Sequence, residues 1–310
     1  GLGAVHICSA IQNDIAMIGV ANTHEAIELR DGGISIPILL LSEPQINDLP
    51  YLIQHDISVT VYHPKTIKRI DDFCNHHNVS INTHLKIDTG MTRLGAPWAS
   101  HQNVKQMWLS TSTLLKKNGI YSHFANSHKN HPLNLTQLTR FTNCIPPNTL
   151  LIKHMANSDA TTNVPDSHFN LVRIGLNAYD NSFTVSAPIR AIQALSSGMS
   201  VGYGSTYTVK NDCHIAVIGM GYADGIPSQL SNQGYVIINK HRCPIIGVIC
   251  MDMFMVKLPA TSTITCNDNA MIICTDDESG TTLTEMAKKT NQNPREIMTR
   301  FSQRITRNLI

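Results

Sequence analysis

Short apolar runs alternate with helix-like stretches through the first 190 residues, and this alternation constrains the fold more than any other feature of the chain. Runs of strand length occupy residues 15–20, 36–41, 58–62, 80–87, 120–124, 149–155 and 170–176. Amphipathic segments lie between them at 64–77, 98–117 and 135–144, and Pro64 stands where a helix would begin, a position at which its missing N–H costs nothing. Parallel strands need crossovers of this kind. Seven such strands fit a (β/α)8 TIM-type α/β barrel lacking its first strand, and an open doubly wound sheet shares the same periodicity.

The texture changes after about residue 180. From Ala187 onward short strand-like runs dominate, at 235–238 and 244–257 among others, with turn formers at Gly202, Asp212, Gly225, Gly234 and Asn239. A helix is expected late, over 282–290. We therefore expect an α/β barrel over 1–190 and a mainly antiparallel β domain over 191–310, with no internal repeat.

A chain of 310 residues has room for two cores, and 42% apolar against 15% charged residues excludes a disordered chain. The net charge is +2 and no dense Lys/Arg tract occurs, so neither nucleic acid nor an anionic membrane surface is expected as a partner. The eight cysteines are scattered without a C-x-x-C pair, and the fifteen histidines show no ligand spacing. They read as reduced thiols of a cytoplasmic protein rather than as disulfides or a metal site. No apolar run reaches membrane-spanning length and no signal peptide opens the chain. Gly1-Leu2-Gly3 carries no initiator methionine, as expected of a fragment or a processed chain.

In α/β barrels the reactive groups sit where strands end. Four successive strand ends here are rich in polar groups: residues 88–95 from Asp88 through Arg93 to Gly95; His123-Phe124-Ala125-Asn126; His154-Met155-Ala156-Asn157-Ser158; and Val172-Arg173-Ile174-Gly175. These runs, the first taken from Lys86 to Gly95, resemble in order the motifs K-(V/I)-D-T-G-M-x-R-L-G, T-H-F-A, N-S and V-R-P-G of the alanine racemase family. Further on, residues 201–207 are similar to V-S-Y-G-x-T-Y, 221–225 to G-Y-A-D-G and 244–252 to P-(I/V)-V-G-R-(V/I)-C-M-D.

The resemblance implies interconversion of L- and D-alanine by two-base proton transfer on a pyridoxal 5'-phosphate (PLP) aldimine, supplying D-alanine for peptidoglycan. It implies a homodimer with composite sites and no metal. Tyr203 would be the base facing L-alanine; a tyrosine with a pKa of about 10 needs neighbouring positive charge or hydrogen bonds, for which His123 and Arg173 match. Arg173 would face the cofactor's ring nitrogen and, holding its own proton, leave that nitrogen largely unprotonated. Asn157, Ser158, Gly175 and Leu176 match phosphate-holding positions, and His154 would stack on the cofactor ring. Arg93 would reach the ring's phenolic oxygen and the substrate. Lys86 matches a lysine often carbamylated in the family, with pairing to Asp88 as its alternative role. Met251 and Asp252 would contact the substrate carboxylate from a partner subunit, and Tyr222 would narrow the entrance.

The chain departs from the family pattern in places. Gly1-Leu2-Gly3 aligns with the end of K-A-x-A-Y-G-H-G, so the lysine that carries the cofactor, the second base, would precede Gly1. Ile174 replaces proline, Asp180 glycine and Val248 arginine, while Arg295 stands where a phosphate-binding tyrosine is usual. The alternatives are a truncated, catalytically silent PLP-binding or dimer-partner protein, and a racemase of another small amino acid such as serine.

Overall fold

A computed structural model describes residues 1–175, 178–179, 182–275 and 282–308. Leu176 lies outside the described residues. The chain divides into two compact units, Ala4–Asn177 and Ala178–Ile310, the second also holding Gly1–Gly3.

The first unit is a curled parallel sheet wrapped by helices. Its strands are β1 (Ile18–Val20), β2 (Ile38–Leu40), β3 (Ile57–Val61), β4 (Ile81–Asp88), β5 (Ala96–Pro97), β6 (Leu115–Tyr121) and β7 (Ile152–His154). They lie in the order β1-β2-β3-β4-β6-β7, every pairing parallel, with the short β5 beside β4. Helices α1 (Ala4–Ile11), α2 (Thr23–Asp31), α3 (Leu49–Gln54), α4 (Pro64–His77), α5 (His101–Ser110), α6 (Pro132–Cys144) and α7 (Ser158–Asn163) fill the connections. This is the TIM-like arrangement expected from the repeated βα pattern. Strand β3 is buried at every position, as a strand covered on both faces must be. α4 spans the expected residues: His63 caps it by accepting from the Lys65 N–H, Pro64 opens it, and Asn78 ends it in the left-handed conformation.

Two strands differ from expectation. β6 begins at Leu115, five residues before the expected 120–124, and stops at Tyr121. Lys116, Lys117 and Asn118 hid its start, since no apolar run marks them. The expected strand at 170–176 is a single parallel bridge between His154 and Leu171.

The second unit is a closed antiparallel barrel. Its strands are β8 (Val185–Leu195), β9 (Ser200–Val201), β10 (Tyr207–Thr208), β11 (Cys213–Ile218), β12 (Tyr235–Ile238), β13 (His241–Ile246), β14 (Phe254–Lys257) and β15 (Asn269–Ile273). The barrel closes as β11-β14-β13-β12-β15-β8, and β9 and β10 form a separate ribbon. The expected strand over 244–257 is in fact two, β13 and β14, separated by a turn at Gly247 with φ +74°. Helices α8 (Leu283–Thr290), capped by Thr282, and α9 (Pro294–Arg300) complete the unit. Its core joins Val236, Ile238, Phe254, Val256 and Ala270 of the barrel to Met286 and Ile297 of the helices. Among the described residues no helix is long and apolar enough to cross a membrane.

Candidate active site

The first unit gathers its polar groups at the carboxyl ends of β4, β6 and β7. On β4, side chains two apart share a face, so His84, Lys86 and Asp88 point to one side of the sheet. Asp88 does not pair with Lys86. Its Oδ1 accepts from the backbone N–H groups of Gly90, Met91 and Thr92 at 2.9, 3.0 and 3.1 Å, folding the loop back so that Arg93 returns toward the strand end. Gly95 lets that loop close: its φ is +132°, and a Cβ there would lie 2.6 Å from the Asp88 nitrogen. Lys86, Asp88, Met91, Arg93, Leu94 and His123 line one small cleft.

Lys86 is buried and has no ion pair among the described residues. Burial first, then the charges of Arg93 and Arg173, hold its ammonium down to about 8, against a smaller opposing pull from Asp88. A fraction of this amine is therefore neutral, and nucleophilic, near physiological pH.

Arg173 is the hub of the site. One Nη donates to His154 Nδ1 at 2.7 Å. The other donates to the carbonyls of Ser122 at 2.6 Å and Met155 at 3.2 Å, and approaches His123 Nδ1 at 3.3 Å. Its Nε–H has no partner among the described residues. Burial lowers its pKa to about 10, with the neighbouring Tyr121 pulling the other way, so the guanidinium stays charged at neutral pH. His154 is fully buried and lies flat on Tyr121. One face of its ring lies on Tyr121 and both ring nitrogens meet protein groups, Arg173 at Nδ1 and His84 at Nε2, so within the protein its link to the site runs through Arg173.

At the end of β7, Asn157 Oδ1 caps α7 through the Ala160 N–H at 3.0 Å and accepts the Ser127 hydroxyl at 2.8 Å. Ser158 Oγ accepts the Gly175 N–H at 2.8 Å. Asn157, Ser158 and Gly175 thus meet in one small arc.

Tyr203, Met251, Asp252 and Arg295 belong to the second unit. Tyr203 is 76% exposed and borders a cavity of about 480 Å3 together with Gly202, Cys250, Met253 and Met255. Met251 and Tyr222 are also exposed. The Asp252 carboxylate is held by Arg304, whose guanidinium bridges it to Asp224, each contact 2.8 Å. Arg295 is exposed on the first turn of α9.

Sequence reasoning missed three residues of the first group. Tyr121 holds His154 by its ring, and its hydroxyl pairs with Thr60 at 2.8 Å. Gln137 donates to the His123 carbonyl and accepts from the Ala125 N–H, pinning that loop. His84 bonds His154, and its position two residues before Lys86 on one strand face was the signal available.

Comparisons with known proteins bear on the family and the fold. The family model described as alanine racemase, N-terminal domain, matches residues 1–182, and that for the alanine racemase C-terminal domain matches 182–309. The alanine racemase of Fusobacterium nucleatum is 34% identical over 276 residues, covering 84% of this chain and 76% of that protein. That of Streptococcus uberis is 32% identical, covering all of this chain and 88% of its own. The solved alanine racemase of Clostridium difficile superposes with a TM-score of 0.91 at 26% identity, covering 99% of this chain and 85% of its own. That of Bartonella henselae, solved with covalently bound pyridoxal phosphate, superposes at 0.86 and 26% identity, covering 100% and 89%. With the two family models together matching residues 1–309, the chain belongs to the alanine racemase family.

Proposed function

We propose that this protein interconverts L- and D-alanine, using pyridoxal phosphate held at the carboxyl ends of the first unit's strands. The observation that carries the proposal is the donor pattern of Arg173. Both Nη groups are spent on protein acceptors, and the Nε–H is left without a partner among the described residues. A fixed cationic donor of this kind fits the pyridine nitrogen of the cofactor and cannot pass its proton to it. Asn157, Ser158 and the Gly175 backbone would hold the phosphate, and the arc they form supports this. Leu176 and Arg295 are further candidates on family resemblance.

When bound, pyridoxal phosphate supplies an electron sink that makes the substrate's α-proton removable. The chain's own residues do the rest. The Tyr203 hydroxyl takes or returns the proton on one face. His123 Nδ1 receives a hydrogen bond from Arg173, which puts the ring's proton on Nε2. Arg93 orients the substrate side. A carbamate on Lys86, formed at its partly neutral amine, would add the negative charge needed to aim Arg93.

Tyr203, Met251 and Asp252 would act in trans in a homodimer. The exposed Tyr203 beside the 480 Å3 cavity, and the exposure of Met251 and Tyr222 on the same unit, support a face that a second copy covers. The buried thiols Cys8, Cys74, Cys144 and Cys243 suit the reducing cytoplasm.

The test is incorporation of solvent deuterium at the α-carbon of L-alanine, with D-alanine appearing, by the full-length protein supplied with pyridoxal phosphate. Faster exchange on serine than on alanine would redirect the reading to that substrate. No exchange on either would overturn it.

A further inference from the structure

Arginine has donors only, so the 2.7 Å contact with Arg173 makes His154 Nδ1 an acceptor. A neutral His154 then carries its proton on Nε2, which lies 3.0 Å from His84 Nδ1. That nitrogen must accept in turn, placing the His84 proton on its own Nε2. The run of donation is therefore directed from Arg173 through His154 to His84. It ends there: His84 Nε2 is fully buried and has no hydrogen-bond partner among the described residues.

A buried N–H without a partner is costly and asks for an explanation. The neighbouring strand shows that the ring is seated deliberately. His84 pairs with Gly119 of β6 in register, just past a bulge at which Asn118 is the extra residue. A Cβ on Gly119 would lie 2.3 Å from His84 Nδ1 and 2.5 Å from its Cε1. Only glycine leaves room for the imidazole at that depth.

We propose that His84 is a positioning residue for the racemase site: seated on the bare Cα of Gly119, it accepts the Nε2–H of His154 and so holds the ring that anchors Arg173. Both imidazoles are neutral. Burial first, then the charge of Arg173, brings His84 down to about 4 and His154 well below its ordinary value. Arg173 thereby meets an uncharged, fixed acceptor at any working pH, and its Nε–H keeps one direction. The inference rests on Arg173 belonging to the active site, and its test separates the two ideas.

In full-length protein labelled with 15N only in histidine, before pyridoxal phosphate is added, His84 and His154 should both carry their protons on Nε2 from about pH 5 to 8. A scalar coupling should cross the N–H···N bridge between them. Gly119→Ala keeps both histidines but displaces the His84 ring, so the coupling should vanish. In the active enzyme, His84→Leu and Gly119→Ala should each lower kcat about tenfold with KM changed less than about twofold. His84→Asn should restore most of the loss, because its Oδ1 occupies the place of the lost Nδ1. A His154 proton on Nδ1, no coupling in the native protein, or wild-type kcat in His84→Leu overturns the proposal. Should His84→Leu not fold, the coupling in the native protein and in Gly119→Ala decides. Correct tautomers and coupling in a protein that racemises nothing would leave the relay standing and count against the proposed activity alone.

Discussion

The ring of Tyr121 lies flat against the imidazole of His154, centroids 4.5 Å apart and planes 7° from parallel. The Tyr121 hydroxyl pairs with Thr60 at 2.8 Å and donates to the Leu41 carbonyl at 3.2 Å, so the stack is fixed at its far end as well. Tyr121→Phe keeps the stack and strips those bonds from a fully buried site. It should cost about 1–3 kcal/mol in urea unfolding while His154 keeps its contact with Arg173. Tyr121→Leu, which also loses the stack, should cost more.

Lys86 sets a pH dependence of stability. Its folded pKa, about 8, lies below the unfolded value near 10.5, so between the two the unfolded chain binds more protons than the folded one. Stability should therefore rise with pH across that window, by about 3 kcal/mol at most. Lys86→Met removes the buried charge and should flatten this rise. Denaturant midpoints measured from about pH 7 to 10 check it.

Carbamylation of Lys86 makes a separate prediction. With 13C-bicarbonate present, a carbamate carbon signal should appear in the native protein and be absent from Lys86→Met. Its absence in both would leave Arg93 without the anion proposed to aim it.

Gly95→Ala should be among the most damaging single changes in the first unit. A methyl there meets the Asp88 nitrogen at 2.6 Å and the Ile87 carbonyl carbon at 2.9 Å, both backbone atoms that cannot swing away. With φ at +132° the conformation is also closed to alanine. A loss of about 3 kcal/mol or more is expected, read as a drop in melting temperature. A shift of less than about 2 °C would show that the loop relaxes freely.

Arg304 ties Asp224 to Asp252, and Asp224 also accepts the Gly221 N–H at 2.9 Å. Arg304 is about half exposed, so solvent screens its ion pairs and Arg304→Met should leave global stability nearly unchanged. The local effect should be larger: amide hydrogen exchange at Met251 and Asp252 should rise because their loop loses its tether. Unchanged exchange there would mean that the turn holds itself.

Much of the architecture was legible in the residues. Period-two burial and period-3.6 amphipathicity are local properties, so α4 and β12 appear where their side chains predict them. β6 was misplaced because its first half is Lys116, Lys117 and Asn118, polar residues carried on a strand whose pairing comes from β4. The residues 244–257 read as one strand because a single positive-φ glycine, Gly247, leaves little trace in the hydropathy pattern.

The same division holds for the site. Sequence alone determined which groups are present: Lys86, Arg93, His123, Arg173, Asn157, Ser158 and Tyr203 stand in ordered motifs, because chemistry selects residue types at strand ends. Tertiary structure decided what each group does, because burial, tautomer and hydrogen-bond direction depend on neighbours far along the chain. His154 meets Arg173 in a fixed orientation because Tyr121, 33 residues away, lies flat against its ring. His84 was an ordinary strand residue until Gly119, across the sheet, left the space for its ring.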